Sequence, residues 1–203
     1  MFERKITPRV AGDRLSIAET LLQGSSLWHS TLLDLGAAQC KFATIAANMG
    51  MKVTAVDART VRKPSKLHPN ITFVHGNFLE MDFVPADYDL VFMFGILYHL
   101  TIGEKQRLLS KFAGRHVIID THYCADDDPN KVEEEGYEGV PYVEGPDMQT
   151  MLANPKASAT CLRSFWFTEA SLGRMLLRYF SHVEKVVPEH YKNRTFFICR
   201  GEA

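Results

Sequence analysis

Short apolar runs alternate with amphipathic stretches along most of this chain of 203 residues. Each run is too short for a typical helix, so the runs predict strands, and strands that alternate with helices build a largely parallel sheet. The predicted strands of this kind are residues 31–35, 52–56, 71–75, 88–94 and 116–120. Residues 182–187 and 195–199 predict a closing antiparallel hairpin. We therefore expect an α/β fold.

The stretches between these strands carry helix signals. Ile45 and Met49 stand four positions apart on one apolar stripe, which predicts a helix after the first strand. Thr101 and Glu104 have the spacing of a capping box and predict the start of a helix after the fourth strand. Thr168 is the expected N-cap of a third helix.

The composition bounds the class of protein. Hydrophobic residues make up 46% and charged residues 23%, as in ordinary globular proteins, and the formal net charge is −1. A near-neutral chain has no strong overall attraction for nucleic acid or membrane, and no apolar run approaches the roughly 18 residues of a membrane span. The four cysteines lack Cys-x-x-Cys spacing, which favours a reducing compartment. We expect a cytoplasmic protein without a metal site.

The charge is least evenly spread over residues 126–147. This stretch holds nine carboxylates against one cation, Lys131. Such a segment predicts a loop or an insertion. It is either a solvated surface excursion or a lid whose negative potential repels phosphate-rich substrates.

The residues that follow the predicted strands suit a nucleoside. Ligands of open α/β sheets bind beyond the carboxyl ends of the strands. The first strand runs through Asp34 into a turn at Gly36, and Asp57 follows the second strand, 23 residues after Asp34. That is close to the roughly 20-residue offset at which a carboxylate accepts hydrogen bonds from ribose. Asn77 and Phe78, after the third strand, offer an amide and an aromatic face to a base.

These residues resemble the motifs of the class I S-adenosylmethionine-dependent methyltransferases. Asp34 and Gly36 match the acid and the first glycine of the first motif, and Asp57 matches the acid after the second strand. Gly76 and Asn77 stand at the Gly-Asp pair after the third strand. The resemblance covers roughly residues 30–200, including the segments 88–100 and 164–168.

The resemblance implies one Rossmann-like domain over residues 1–203, with a mostly parallel seven-stranded sheet and an antiparallel C-terminal hairpin. It implies a helical lid at residues 1–29 and an acceptor-side insertion at residues 121–167. It also implies S-adenosylmethionine as methyl donor and S-adenosylhomocysteine as product. The implied cofactor contacts are Asp34, Gly36, Ala37, Ala38, Asp57, Ala58, Gly76, Asn77, Phe78 and Phe94.

The first motif departs from the family at two positions. Ala38 and Cys40 stand where the family has its second and third glycines. Because a Cβ disfavours positive φ, we expect Ala38 to keep an ordinary right-handed or extended backbone, and Cys40 to pack as a small hydrophobe. A dinucleotide enzyme would need more glycines around its pyrophosphate, whereas Asp34 beside Gly36 suits a cationic methyl donor.

Methyl transfer is an in-line displacement, so the protein mainly has to align the reacting atoms. A hydroxyl acceptor also needs a general base, and His99 and His122 are the candidates because they follow the fourth and fifth strands. Tyr98, Tyr123 and Trp166 are the candidate contacts to the acceptor.

The leading hypothesis is a methyltransferase acting on the oxygen or nitrogen of a small molecule. A first alternative is a tRNA methyltransferase of the wobble-uridine type, which residues 95–99 and 164–166 also resemble. The near-neutral charge argues against nucleic acid as a partner. A second alternative is a non-catalytic binding subunit, for which Ala38 and Cys40 are the support.

Overall fold

A sheet of eight strands forms the centre of the computed structural model, which describes residues 1–8, 13–24, 30–188 and 194–201. In these residues the strands are β1 (Phe2–Ile6), β2 (Thr31–Leu35), β3 (Lys52–Asp57), β4 (Ile71–His75), β5 (Leu90–Phe94), β6 (Val117–His122), β7 (Val132–Glu134), β8 (Tyr137–Val143), β9 (Arg163–Phe167), β10 (His182–Pro188) and β11 (Arg194–Arg200). The α-helices are α1 (Arg14–Gln23), α2 (Lys41–Asn48), α3 (Ile102–Lys111), α4 (Met148–Ala153) and α5 (Glu169–Leu177).

The strands of the large sheet lie in the order β1-β10-β11-β6-β5-β2-β3-β4. All neighbours pair in parallel except β11, which is antiparallel to both β10 and β6. This confirms the mostly parallel sheet and the antiparallel C-terminal hairpin. The seven strands read from the sequence are all present, and β1 adds an eighth at the edge, beside β10.

Both faces of the large sheet are buried. Side chains alternate along a strand, so Leu33 and Leu35 of β2 join one apolar cluster while Leu32 joins the other. Helices α3 and α5 cover the first cluster, and α1 and α2 cover the second. Burial on both faces explains why the strands read as continuous apolar runs.

The helix starts follow the expected capping chemistry. The Thr101 side chain accepts from the Glu104 amide and the Glu104 carboxylate accepts in return, which completes the capping box of α3. Thr168 caps α5, and Asp13 caps α1. The Cys40 side chain makes no capping hydrogen bond at the start of α2.

The acid-rich stretch is more ordered than the sequence suggests. It contains β7 and β8, which pair antiparallel with each other, and β8 pairs with β9 to form a second, three-stranded sheet. Tyr137, Phe165 and Phe167 of this sheet pack into the apolar cluster under α3 and α5. Buried residues between exposed acids hold the stretch in place, so the loop prediction is corrected to a β-hairpin.

The N-terminal region also differs from the expectation. Residues 1–29, expected as a helical lid, contain the strand β1 as well as the helix α1. Residues 9–12 and 25–29 of the predicted lid lie outside the described residues, as do residues 189–193 between β10 and β11.

Lys105 of α3 is buried, with 2% of its surface exposed. Its ammonium donates to the carbonyl of Phe165 at 2.7 Å and to that of Leu100, and it lies 4.9 Å from the ring centre of Phe167. Burial lowers the pKa of Lys105 to about 7. Lys105 therefore connects α3 to β9, but burial destabilises its charged form.

We expect the stability of the protein to rise with pH above about 7 because of Lys105. Over that range an unfolded chain still carries the lysine proton, which the folded chain has lost, so the free energy of unfolding rises by up to about 1.4 kcal/mol per pH unit. Urea unfolding at about pH 7 and about pH 8.5 measures this rise. The Lys105→Met variant should lack it, whereas Lys111→Met on the same helix should keep it; equal pH dependence in all three proteins would contradict the assignment.

Candidate active site

The central strands β2, β3 and β5 end at one edge of the large sheet and open onto a cleft. The strand order reverses at β2, because β3 and β4 lie on one side of it and β5 and β6 on the other. Such a reversal is where open α/β sheets bind their ligands. Six of the residues predicted to contact a cofactor line this strand-end cleft: Gly36, Ala38, Asp57, Ala58, Asn77 and Phe78.

The loop after β2 is held tightly against β3. The Gly36 amide donates to the Val56 carbonyl at 2.8 Å, and the Ala38 amide donates to Oδ2 of Asp57 at 2.7 Å. Gly36 has φ +72°, and a Cβ at this position would overlap the side chain of Ile96. Glycine is therefore required at this turn for both its backbone conformation and its lack of a side chain.

Ala38 and Cys40 adopt the left-handed conformation, with φ +46° and +53°. This corrects the expectation of an ordinary backbone at Ala38. The hydrogen bonds to β3 fix the course of the loop, so the alanine follows the path of a glycine at a cost of about 1 to 2 kcal/mol. Cys40 is fully buried in the apolar cluster beneath α2, and burial raises the pKa of its thiol to about 11.

Asp57 stands at the lip of the strand-end cleft. Its Oδ2 accepts from the Ala38 amide, and its Oδ1 accepts from the Arg59 amide at 2.8 Å. These two bonds use about half of the acceptor capacity of a carboxylate. The carboxylate is thus fixed in position and keeps acceptor capacity for a ligand.

Three predicted residues line neither the strand-end cleft nor the two cavities described next. Asp34 is buried beneath the loop, and burial together with the charge of Asp57 raises its pKa to about 7. Its Oδ2 has no hydrogen-bond partner among the described residues. Gly76 lies against Met81, and Tyr123 has the Lys185 ammonium 6.0 Å from its ring centre.

A second cavity adjoins the strand-end cleft through Gly36 and Ala38, and we call it the cationic cavity. The predicted contacts Ala37, Phe94 and Tyr98 line it. Its charged lining is mostly positive, since it contains Arg14, Lys41, Arg62 and Lys156 together with one acid, Asp13. This cavity therefore favours an anionic group.

A buried carboxylate organises one wall of the site. Asp120 of β6 is fully buried and accepts from both Arg14 of α1 and Arg194 of β11, with Nε to carboxylate distances of 2.7 Å in both cases. Arg194 also lies 2.6 Å from Nε2 of His122. A guanidinium only donates, so Nε2 of His122 is the acceptor in this contact. The arginine thus occupies the lone pair that His122 would need as a base at Nε2.

A third cavity lies under the three-stranded sheet, and we call it the aromatic cavity. It brings together the predicted residues Tyr98, His99, His122 and Trp166 with Tyr142 and Glu144. Trp166 stacks on Tyr142, with ring centres 4.7 Å apart, and on His122, with ring centres 5.1 Å apart. The stacked rings give the cavity a flat aromatic wall, of the kind on which the ring of a small molecule stacks, beside polar groups that can hydrogen-bond to it.

His99 and Lys156 line all three cavities and so mark the point where they meet. Nδ1 of His99 lies 2.6 Å from Oε1 of Glu144. Glu144 is absent from the sequence predictions. It is one of nine carboxylates in the acid-rich stretch, and its spacing gives no signal that separates it from the others.

The turn that carries His99 is bonded to residues 161–166 through three consecutive carbonyls. These are Tyr98, which accepts from Nε1 of Trp166 at 3.1 Å, His99, which accepts from Sγ of Cys161 at 2.9 Å, and Leu100, which accepts from the amide of Phe165 at 3.4 Å. The position of the imidazole therefore depends on the second sheet as much as on the large one.

The described residues contain no group of three or more histidine, cysteine, aspartate and glutamate side chains arranged to hold a metal ion. None of their helices has the length and apolar character needed to cross a membrane.

Comparison with solved structures shows a Rossmann-like methyltransferase fold. The N-terminal domain of EvdMO1, solved with S-adenosylhomocysteine bound, is 19% identical, with a TM-score of 0.70 over 95% of this chain and 83% of that one. The glycopeptide N-methyltransferase MtfA in complex with S-adenosylmethionine is 14% identical, with a TM-score of 0.59 over 97% of each chain.

A third neighbour is the 1,6-didemethyltoxoflavin-N1-methyltransferase of Burkholderia thailandensis, which is 17% identical, with a TM-score of 0.60 over 93% of this chain and 78% of that one. A search of curated protein sequences found no match. Residues 32–115 match the family model described as a methyltransferase domain. The chain thus contains a stretch that matches a methyltransferase domain, and its fold is similar to that of S-adenosylmethionine-dependent methyltransferases, in agreement with the resemblance seen in the sequence.

We expect Ala38→Gly to raise the free energy of unfolding by about 0.5 to 1 kcal/mol. Relief of the left-handed strain outweighs the greater entropy that glycine gives the unfolded chain. Urea denaturation measures the change. Ala37→Gly is the matched control, because Ala37 is not at positive φ and its replacement should lower stability; loss of stability in both variants would contradict the strain at Ala38.

Proposed function

We propose that this protein transfers a methyl group from S-adenosylmethionine to the oxygen or nitrogen of a small-molecule acceptor and releases S-adenosylhomocysteine. The observation that carries the proposal is the meeting of three cavities at His99 and Lys156. A transfer reaction needs two ligands that touch at one point, and this arrangement offers a donor side and an acceptor side.

The residues of the strand-end cleft fit the methyl donor. Asp57 offers acceptor capacity to ribose hydroxyls, and Asn77 and Phe78 on the same cleft offer an amide and an aromatic ring to adenine. Gly36 lines the same cleft with its backbone alone, so it presents no side chain to the ligand. When bound, S-adenosylmethionine supplies a methyl group already activated by the positive sulfur.

The charges around the site also fit the donor. Asp34 lies beneath the loop with an unpartnered oxygen, and a nearby cation favours the ionised form of a buried carboxyl. The cationic cavity beside it suits the carboxylate of the methionine part. The chain thus has the Asp57 carboxylate on the strand-end cleft and a mostly cationic lining in the adjoining cavity, and the donor carries groups of both signs.

The aromatic cavity supports a small-molecule acceptor. Tyr98, Tyr142 and Trp166 line a space that the second sheet covers. The neighbour from Burkholderia thailandensis was solved with 1,6-didemethyltoxoflavin, and another structure of EvdMO1 in the presence of D-fucose. Both compounds are small ring molecules, and this supports the same class of acceptor here.

We expect Asp57→Ala to weaken the binding of S-adenosylhomocysteine by about 1.5 to 3 kcal/mol, because hydrogen bonds to a charged group are lost. Isothermal titration calorimetry on the whole chain measures it. Asp89→Ala is the matched control, since Asp89 also accepts two hydrogen bonds, from the amide and hydroxyl of Thr31, but at the opposite end of the strands.

Three outcomes would count against the proposal. If the wild-type protein does not bind S-adenosylhomocysteine at millimolar concentration, S-adenosylmethionine is not its cofactor. If the two aspartate variants bind S-adenosylhomocysteine with equal affinity, the ligand does not contact Asp57. Salt-sensitive retention of tRNA on the protein would favour the tRNA alternative instead.

A further inference from the structure

A buried carboxylate fixes the imidazole at the junction of the three cavities. The Glu144 side chain is 3% exposed and that of His99 is 17% exposed. Oε1 of Glu144 contacts Nδ1 of His99 at 2.6 Å, and Oε2 accepts from the Ser158 amide at 3.2 Å. Both carboxylate oxygens are therefore engaged, and the carboxylate cannot turn away from the ring without losing two contacts.

Glu144 stands apart from the other acids of its stretch. Glu133 and Glu138, on the same small sheet, are exposed, whereas Glu144 follows the end of β8 and points inward to His99. A carboxylate is costly to bury unless it is paired and hydrogen-bonded. The pairing with His99 accounts for its burial.

The contact determines which nitrogen of His99 carries the proton. A carboxylate accepts, so Nδ1 donates its hydrogen to Glu144, and the neutral ring keeps its lone pair on Nε2. This differs from His122, whose Nε2 is engaged by Arg194. Of the two candidate bases, His99 is the one whose Nε2 remains available at a point where the cavities meet.

We propose that the acceptor carries a hydroxyl group, that Nε2 of His99 removes its proton, and that Glu144 is the residue that positions His99. This rests on the proposed function, because it takes S-adenosylmethionine as the donor in the strand-end cleft. An amine attacks with its own lone pair and needs no base beforehand, whereas a hydroxyl is a weak nucleophile until its proton leaves. A fixed imidazole and carboxylate pair therefore serves a hydroxyl acceptor.

The step balances without a further reactant. The acceptor oxygen forms a bond to the methyl carbon while the bond between that carbon and sulfur breaks, and the bonding electron pair stays on sulfur. The hydroxyl proton passes to Nε2 of His99, where Glu144 stabilises the positive ring, and then leaves to solvent. The Lys156 ammonium at the same junction favours the developing negative charge on the oxygen.

The tautomer of His99 tests the positioning role without any acceptor. Nitrogen chemical shifts of the labelled whole chain, with the His99 signal assigned through His99→Gln, should show the proton on Nδ1 in the wild type. The same pattern should hold in Glu138→Gln, which removes an exposed carboxylate from the same small sheet. Glu144→Gln should move the population toward the Nε2 proton; a wild-type ring protonated on Nε2, or no change in Glu144→Gln, would overturn the proposal.

Turnover tests the hydroxyl assignment. The probes are phenol and aniline in direct competition, with the methylated products separated by mass. We expect the oxygen product to exceed the nitrogen product, with kcat for the oxygen product falling about 100-fold or more in His99→Gln and about 10-fold in Glu144→Gln. Excess nitrogen product, or an oxygen product formed equally well by His99→Gln, would overturn it.

Calorimetry separates this proposal from the one on which it rests. Glu144→Gln should bind S-adenosylhomocysteine within about 2-fold of the wild type, since Glu144 lines the aromatic cavity and neither of the cavities assigned to the donor. Loss of binding in the wild type would reject the proposed function. Normal binding combined with unchanged oxygen methylation in the variants would reject only the roles of His99 and Glu144.

Discussion

The hydrogen bond from the Ala38 amide to Asp57 is the contact on which the site depends. It joins the loop after β2 to the end of β3, and a second bond from the Gly36 amide to Val56 closes the same connection. The loop keeps left-handed backbone at two residues with side chains, which costs about 1 to 2 kcal/mol each. The hydrogen-bond acceptors on β3 hold the loop backbone in a conformation typical of glycine, although Ala38 and Cys40 are not glycines. The strand-end cleft therefore keeps its shape.

Opposite charges are divided between the two sides of that loop. Asp34 and Asp57 lie below and beside it, while Arg14 and Lys41 line the cavity next to it. Arg14 belongs to α1, and its bond to the buried Asp120 fixes this helix against β6. A charge pair between distant segments therefore also sets one wall of the cationic cavity, so fold stability and ligand selection share the same residues.

The sequence predicts those structural features that depend on neighbouring residues. It does not predict contacts between residues that are distant in the sequence. The seven strands and the capping box of α3 follow from local patterns, and Asp57 follows from its place after a strand. The edge strand β1 is exposed along most of its length, so it lacks an apolar signal. The partners of Asp120 are 106 and 74 positions away, and the pairing of Glu144 with His99 spans 45. Hydrophobic periodicity gives no information on contacts between residues so far apart in the sequence. Nothing in the local sequence distinguishes the one inward-facing glutamate from the other acids of its stretch.

The junction of the cavities is a product of both sheets. The large sheet places His99 on the turn after β5, and the small sheet fixes that turn through bonds to its carbonyls and through Glu144. In the reaction that we propose, donor alignment depends on strand ends of the large sheet, and contacts to the acceptor come from residues of the small sheet. The chemistry that we propose for His99 requires both at once, because a base that is fixed only from the donor side would leave the acceptor oxygen unaligned with the methyl carbon.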